Sequence, residues 1–201
     1  MDSESVPPRI NRDVEKFNRW APTYDQSVMQ RWFFMRVHST MLDLLAVELR
    51  DSPRCIVDVG CGTGRLLRAA SVRWPGAQLF GVDPAERMVS EAARLNPQAT
   101  FRLAAAESLP FPDQTADAVM TSLSFHHWSN QAKGLQEIAR VLRPGGLFCL
   151  ADHRFGLFRE RVRSRRQIQA LIIGAGLAVR KQQGMGMRLV LVTLAGKAGS
   201  Q

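Results

Sequence analysis

Apolar positions along the chain change rhythm several times. From about Asp13 to Leu49 they recur at helical spacing, with Met41, Leu44, Leu45 and Leu49 on one face and Trp32, Phe33 and Phe34 upstream. Asp51-Ser52-Pro53 stops that segment. The run Cys55-Ile56-Val57-Asp58-Val59 is then nearly all apolar, which predicts a strand buried on both faces of a parallel sheet. Helical spacing returns at Leu66, Leu67 and Ala70, followed by a predicted strand from Gln78 to Val82. Pro84 suits the first turn of the next helix, which carries Met88, Ala92 and Leu95. Further strands are predicted from Thr100 to Leu103, Ala116 to Leu123 and Leu147 to Ala151. Between the last two, Leu135, Ile138, Ala139 and Leu142 mark a helix closed by Arg143-Pro144-Gly145-Gly146.

Strand and helix thus alternate, which predicts an α/β fold with a mainly parallel sheet. The end of the chain departs from this. Ser164 and Gln167 have the spacing of a capping box, ahead of a helix with Ile168, Leu171, Ile172 and Ala175 on one face and Gly176 at its end. Leu177 to Gln183 and Arg188 to Leu194 read as two strands joined by Gly184-Met185-Gly186-Met187. A link that short joins only antiparallel neighbours. The expected organisation is a flexible arm over 1–12 and one domain over 13–201. Within it lie a helical cap (13–50), a core carrying the glycine loop (53–152), a short lid (153–166) and a C-terminal helix and hairpin (167–201).

Composition narrows the class. The 201 residues, 45% hydrophobic and 22% charged, suit one globular domain. No apolar run nears the roughly 20 residues that span a bilayer, and the polar start predicts no signal peptide. Cys55, Cys61 and Cys149 are too scattered for a metal site, so no metal is expected, and the odd count suits a reducing cytoplasm. The net charge is +9, and Arg154, Arg159, Arg161, Arg163, Arg165 and Arg166 crowd one stretch. Such a cluster is either a solvated face or a contact for an anionic or membrane-associated substrate or a nucleic acid. Phe155, Leu157 and Phe158, interleaved with it, suit an anionic, partly apolar acceptor or lipid headgroups.

Candidate chemistry centres on Val57-Asp58-Val59-Gly60-Cys61-Gly62-Thr63-Gly64. A glycine run between strand and helix lets backbone N–H groups approach a ligand. The dinucleotide fingerprint would need glycine or alanine where Arg65 or Leu67 stands. Asp58, just ahead of the loop, would repel a pyrophosphate and suits an ammonium group. Asp83, about 20 residues on, either accepts hydrogen bonds from a ribose or caps the helix at Pro84.

In these features the chain resembles the class I S-adenosylmethionine-dependent methyltransferases, in particular the branch similar to ubiquinone/menaquinone C-methyltransferases. The resemblance runs from about Phe17 to Leu194. Its carriers are Phe17-Asn18-Arg19-Trp20-Ala21-Pro22-Thr23-Tyr24-Asp25, the glycine loop, Leu79-Phe80-Gly81-Val82-Asp83, and Ala106-Glu107-Ser108-Leu109-Pro110-Phe111. Ser124-Phe125-His126-His127-Trp128 and Arg140-Val141-Leu142-Arg143-Pro144-Gly145-Gly146 complete the set.

The resemblance implies a Rossmann-like, doubly wound, seven-stranded sheet that ends in an antiparallel hairpin. It implies S-adenosyl-L-methionine as cofactor and S-adenosyl-L-homocysteine as product. Asp58, Gly60, Cys61, Gly62 and Gly64 would hold the methionine part, and Asp83 with Pro84 the ribose end. Met88 would pack on the adenine or serve as core. Tyr24 would close over the cofactor, and Ser122, Leu123 and Ser124 would lie beside the methyl. The family usually carries an aspartate where this chain has Ala105; backbone groups of Ala105 and Ala106, or Glu107, would have to replace that contact, worth about 1–3 kcal/mol.

Methyl transfer from a sulfonium expels a neutral group, so alignment matters most, and a base only where the acceptor loses a proton. His126, His127 and His153 follow strands at the ligand-binding edge and are candidate bases, or they fix the turns they occupy. Trp128 is expected to pack, and His38 to be structural or surface-exposed. The reading favoured is methyl transfer to a small O, N or C acceptor, quinone-like or lipid-like acceptors included, in a monomer or an oligomer. A nucleic-acid methyltransferase, and a non-catalytic cofactor-binding protein, are the alternatives. Against the first stands the absence of an Asn/Asp-Pro-Pro-Tyr/Phe signature after the fourth strand.

Overall fold

A computed structural model describes residues 8–24, 28–49, 51–154, 162–186 and 189–198. The first seven residues of the expected arm, Asp25, the lid residues Phe155, Leu157, Phe158, Arg159 and Arg161, and Met187 and Arg188 lie outside them.

Two helices open the chain: α1 (Pro8–Trp20) and, after a short turn at Ala21–Thr23, α2 (Val28–Glu48). Helix α1 begins five residues ahead of the expected Asp13, because proline is at home in a first helical turn. Then come β1 (Cys55–Val59), α3 (Arg65–Arg73), β2 (Gln78–Asp83), α4 (Glu86–Leu95), β3 (Thr100–Leu103), β4 (Ala116–Ser122) and α5 (Gln131–Val141). The chain ends in β5 (Leu142–His153), α6 (Arg165–Gly174), β6 (Leu177–Met185) and β7 (Val190–Lys197).

The seven strands form one sheet in the order β3-β2-β1-β4-β5-β7-β6. Strands β1 to β5 pair in parallel, and β7 runs antiparallel to both β5 and β6. This is a Rossmann-like, doubly wound sheet of seven strands ending in an antiparallel hairpin. Every residue of β1 is buried, as its unbroken apolar run requires. Alternate side chains feed two cores. Val57 and Val119 join Leu135, Ile138, Ile168 and Ile172 on the α5–α6 face. Ile56, Ala118 and Met120 join Met41, Leu45, Leu66 and Leu67 on the α2–α3 face. His38 is buried there as well. Burial, then the charges of Arg65 and Arg68, push its pKa down to about 4.

Two local results qualify the sequence reading. Ser164 and Gln167 form both halves of the capping box at α6. By contrast, Arg143-Pro144-Gly145-Gly146 does not stand outside the fifth strand, because β5 starts at Leu142 and absorbs it. Ala116 pairs with Leu142 and Ala118 with Leu147, so the extra residues bulge out of register. Gly145 allows this with φ +78° and donates its N–H to Ala198.

Connections leave β1 toward β2 on one side and β4 toward β5 on the other. The gap between the carboxyl ends of β1 and β4 is therefore the topological switch point, where open α/β sheets bind ligands.

Candidate functional site

The glycine loop sits at that switch point. Gly60 N and Cys61 N both donate to Val82 O, at 2.8 and 3.0 Å, and Gly62 N donates to Asp83 Oδ2 at 2.9 Å. Gly60, Gly62 and Gly64 all have positive φ, between +52° and +74°. Each glycine has a different reason. A Cβ on Gly60 would overlap Ser124 Oγ, and one on Gly64 would meet Asn96 and Phe101. Only Gly62 borders open space. Cys61 is buried beneath the loop, with its Sγ toward Gly81, and Asp58 lies fully enclosed at the end of β1.

Two carboxylates meet here in contrasting states. Asp83 uses both oxygens on backbone donors: Oδ2 accepts from Gly62 N, and Oδ1 from Ala85 N at 2.9 Å. Asp58 Oδ1 is buried without a hydrogen-bond partner. Burial, then repulsion from Asp83, raises the Asp58 pKa to about 8; burial raises that of Asp83 to about 6 against its two N–H donors. The pair is short of positive charge.

A cavity of about 760 Å³ opens above them. Its floor is Gly60, Gly62, Asp83, Pro84 and Ala85. Ala105, Ala106, Glu107 and Ser108 form one wall; Ser122, Leu123, Ser124, His127, Trp128 and Ser129 form another. Asp13, Val14 and Phe17 of α1, with Tyr24, lie across it as a roof. Met88, almost fully buried, closes one end, packed with Ala21 and Ala85 beside Val14, Phe17 and Tyr24. The lining carries Asp13, Asp83 and Glu107 and, among the described residues, no lysine or arginine.

Beyond β4 the backbone is strained. Leu123 holds φ +55°, a conformation that costs a non-glycine residue about 1–2 kcal/mol, and its N–H is tied to Ala151 O. Ser122 Oγ is buried without a partner at the cavity wall. Ser124 Oγ accepts from Trp128 Nε1 at 3.0 Å, and the indole packs against Phe125.

The three histidines form one cluster. His126 Nδ1 lies 2.6 Å from Asp152 Oδ1, both buried, and its ring is 4.0 Å from that of His127 and 5.5 Å from that of His153. His127 Nδ1 lies 3.2 Å from Asp13 Oδ2. Burial and then His126 lower the His127 pKa to about 4, while Asp13 and Asp152 oppose the fall. His153 stacks against Phe33 of α2, and its pKa is lowered chiefly by burial.

A profile of the methyltransferase domain matches residues 57–150. An uncharacterized methyltransferase of Mycobacterium tuberculosis is 37% identical over 116 residues, which is 56% of this chain and 46% of that protein. The demethylmenaquinone methyltransferase of Thermus thermophilus is 35% identical over 142 residues, 68% of this chain and 63% of that protein. The crystal structure of an S-adenosylmethionine-dependent methyltransferase from Aquifex aeolicus superposes with a TM-score of 0.69 at 22% identity, over 78% of this chain and 88% of that one. That last likeness is one of fold. The chain belongs to the class I S-adenosylmethionine-dependent methyltransferases. It spans about half the length of the first of these relatives.

The residues present fit the family's cofactor. Asp58 offers a buried, unpartnered carboxylate oxygen to an ammonium group. Gly62 leaves room for the ligand. Asp83 retains lone pairs beside its two N–H bonds; it does not cap α4, whose N-cap is Ala85 with no side-chain cap, and its Oδ1 instead holds the turn that leads into that helix. Of the residues expected at the cofactor, Tyr24, Gly60, Gly62, Asp83, Pro84, Met88, Ala105, Ala106, Glu107, Ser122, Leu123 and Ser124 line the cavity. Asp58, Cys61 and Gly64 lie behind that surface and shape it.

Glu107 lines the cavity, and its Oε1 accepts from Ser129 Oγ and Asn130 N, at 2.6 and 2.8 Å, fixing the start of α5. At Ala105 the cavity is met by a methyl group, and its carbonyl accepts from Ser108 N. Of the candidate bases only His127 lines the cavity; His126 and His153 stand behind it. Sequence spacing did not single out Asp13, Val14, Ser108, Ser129 or Asp152. Asp13, Ser129 and Asp152 bond to His127, Glu107 and His126, each more than 20 residues away, and Val14 packs near Met88, so local spacing carries no signal for them.

Proposed function

We propose that this chain transfers the methyl group of S-adenosylmethionine to a small-molecule acceptor held between the switch point and α1. The observation that carries the reading is Asp58. A buried carboxylate oxygen without a partner is costly, by about 1–3 kcal/mol or more for a charged group, unless a ligand supplies the missing donor. An α-ammonium group supplies that donor and a positive charge together.

When bound, the cofactor supplies an electrophilic methyl group. The chain aligns and shields it. Asp58 and the loop hold the amino-acid end, Asp83 the ribose, and Met88 the adenine face. Ser122 to Ser124 present polar atoms at the end of β4, and α1 keeps water out. A volume of about 760 Å³ lies in the range of pockets for small ligands, about 300–1,000 Å³. The chain's cysteines are all free and buried, which supports placing it in the cytoplasm. Among the described residues no helix is long and apolar enough to cross a membrane.

A nucleic-acid acceptor is favoured by the net charge of +9 and disfavoured by an acidic pocket roofed by a helix. The arginine-rich stretch gives it little further support. Arg163 bonds to Gln131 Oε1 at 2.6 Å and Arg165 to Gln182, so these two fasten α6 to its neighbours. Calorimetry with S-adenosylmethionine, followed by labelled-methyl transfer to a panel of phenols, quinols, amines and RNA, separates the cases. Binding with turnover on a small acceptor is the expected result. Binding without turnover on any acceptor would favour a non-catalytic protein, and no binding would contradict the reading.

A further inference from the structure

The acceptor end of the cavity is faced by groups far apart in the chain. Asp13 Oδ2 reaches His127 Nδ1 at 3.2 Å across 114 residues. One helical turn on, Phe17 stands edge-on against the same imidazole, with ring centroids 5.0 Å apart and planes at 88°. Arg87 N donates to Asn18 Oδ1 at 2.9 Å, fastening that turn of α1 to α4. Helix α1 therefore brings a carboxylate and an aromatic edge to one histidine.

We propose that Asp13 is a positioning residue that holds His127 as the Nδ1–H tautomer, leaving Nε2 as base for an uncharged acceptor that loses an O–H or N–H proton on methylation. This rests on the methyl-transfer reading above. A neutral imidazole whose Nδ1–H donates to a carboxylate carries its lone pair on Nε2. The same carboxylate stabilises the imidazolium as it forms. Among the described residues, the titratable groups that act on His127 are Asp13 from α1, His126 in its own turn and Asp152 from β5. With its pKa lowered to about 4, His127 is neutral near pH 7 and able to accept a proton.

The acceptor's charge follows from the lining. Asp13, Asp83 and Glu107 repel an anion, and no lysine or arginine among the described lining residues offsets them. A protonated amine is no nucleophile, and a base as weak as this one would deprotonate it poorly. An uncharged hydroxyl or N–H group attacks with a lone pair it already has, and its proton becomes acidic as the methyl bond forms, so a weak base need take it only late in the transfer. In the transfer, the bond from the acceptor atom to the methyl carbon forms as the carbon–sulfur bond breaks. The electron pair stays on sulfur, and the acceptor's proton passes to His127 Nε2 and then to water. Because Asp13 rides on α1, the base is assembled only when the roof lies over the cavity.

The test is the tautomer of His127, read from the imidazole nitrogens by long-range ¹H–¹⁵N NMR, with S-adenosylhomocysteine added and His127→Gln giving the assignment. Wild type is expected to show Nδ1–H. Asp13→Ala should move the population toward Nε2–H, and Asp13→Glu should restore Nδ1–H. An Nε2–H wild type, or a tautomer unmoved by Asp13→Ala, overturns the proposal. The wild-type spectrum decides alone should Asp13→Ala fail to fold. Calorimetry with the same ligand keeps the two readings apart: no binding sinks the methyl-transfer reading, whereas binding with the wrong tautomer sinks only the role of Asp13. With an active acceptor, Asp13→Ala should lower kcat about 100-fold and leave KM within about threefold. A change in KM alone contradicts the proposal.

Discussion

At the floor of the cavity, Gly60, Cys61 and Gly62 donate backbone N–H groups to the end of β2, and the loop is locked by in-register parallel strands. At the roof, α1 meets the rest of the molecule through side chains, among them Asp13, Val14, Phe17 and Asn18. The floor is built for one geometry and holds its electrostatic deficit permanently, in Asp58. The roof is built from contacts worth about 1 kcal/mol each, weak enough to part and re-form.

Asp58→Asn should have the largest effect on the floor. Removing one partner of a buried ion pair costs about 3–5 kcal/mol, so S-adenosylmethionine affinity should fall at least about 100-fold by calorimetry. The same change should raise the melting temperature of the unliganded protein at pH 8, because it removes the carboxylate that burial disfavours. Loss of both affinity and stability would mean that Asp58 is structural.

The glycines sharpen the picture of the floor. Gly60→Ala must displace Ser124 and hold alanine at φ +71°, and should cost about 2–5 kcal/mol of unfolding free energy in urea titration. Gly62→Ala meets nothing within 4 Å and should cost only about 1–2 kcal/mol, with a larger loss in cofactor affinity than in stability. Equal effects at the two positions would erase the distinction between them.

Much of the floor was legible in sequence. The unbroken apolar run of β1, the glycines after it and Asp83 at the end of β2 are neighbours along the chain or one unit apart, and local rules govern them. What escaped was set by tertiary contact. The need for glycine at position 60 comes from Ser124, more than 60 residues later, and spacing alone suggested only a ligand. The bonds from Ser129 and Asn130 to Glu107 Oε1 span more than 20 residues, and no local spacing announces them. The Pro-Gly-Gly run that looked like a stop was absorbed by β5, since a neighbouring strand can accommodate a bulge. The roof was the least legible part: nothing in the pattern of α1 names His127 as the partner of Asp13.

Removing the Phe17 ring tests the roof with a smaller effect. Phe17→Ala should cost about 1–2 kcal/mol and speed amide exchange in α1 while leaving β1 and β2 unchanged. Faster exchange in the sheet would show that roof and floor are one cooperative unit.

The acid and alkaline limbs of stability give the finest comparison. His38 and His127 have folded pKa values near 4, below the ordinary 6.5, so their contribution is present above about pH 6.5 and lost as pH falls toward 4. Asp58 is raised to about 8, so its contribution is present below about pH 4 and lost as pH rises toward 8. Denaturant titrations from pH 4 to 9 should show both limbs in wild type, and Asp58→Asn should shrink the alkaline one to the part below about pH 6 that Asp83 contributes.

The most direct test of a cation-seeking floor is the proton count on cofactor binding. Near pH 7 the unliganded Asp58 carries its proton, and an ammonium group beside it displaces that proton. Calorimetric titration with S-adenosylmethionine at pH 7, in buffers of different ionisation enthalpy, should show release approaching about one proton per cofactor in wild type and almost none in Asp58→Asn. Binding with no proton release, or with the same release in both proteins, would contradict the assignment of Asp58 as the site's cation receptor.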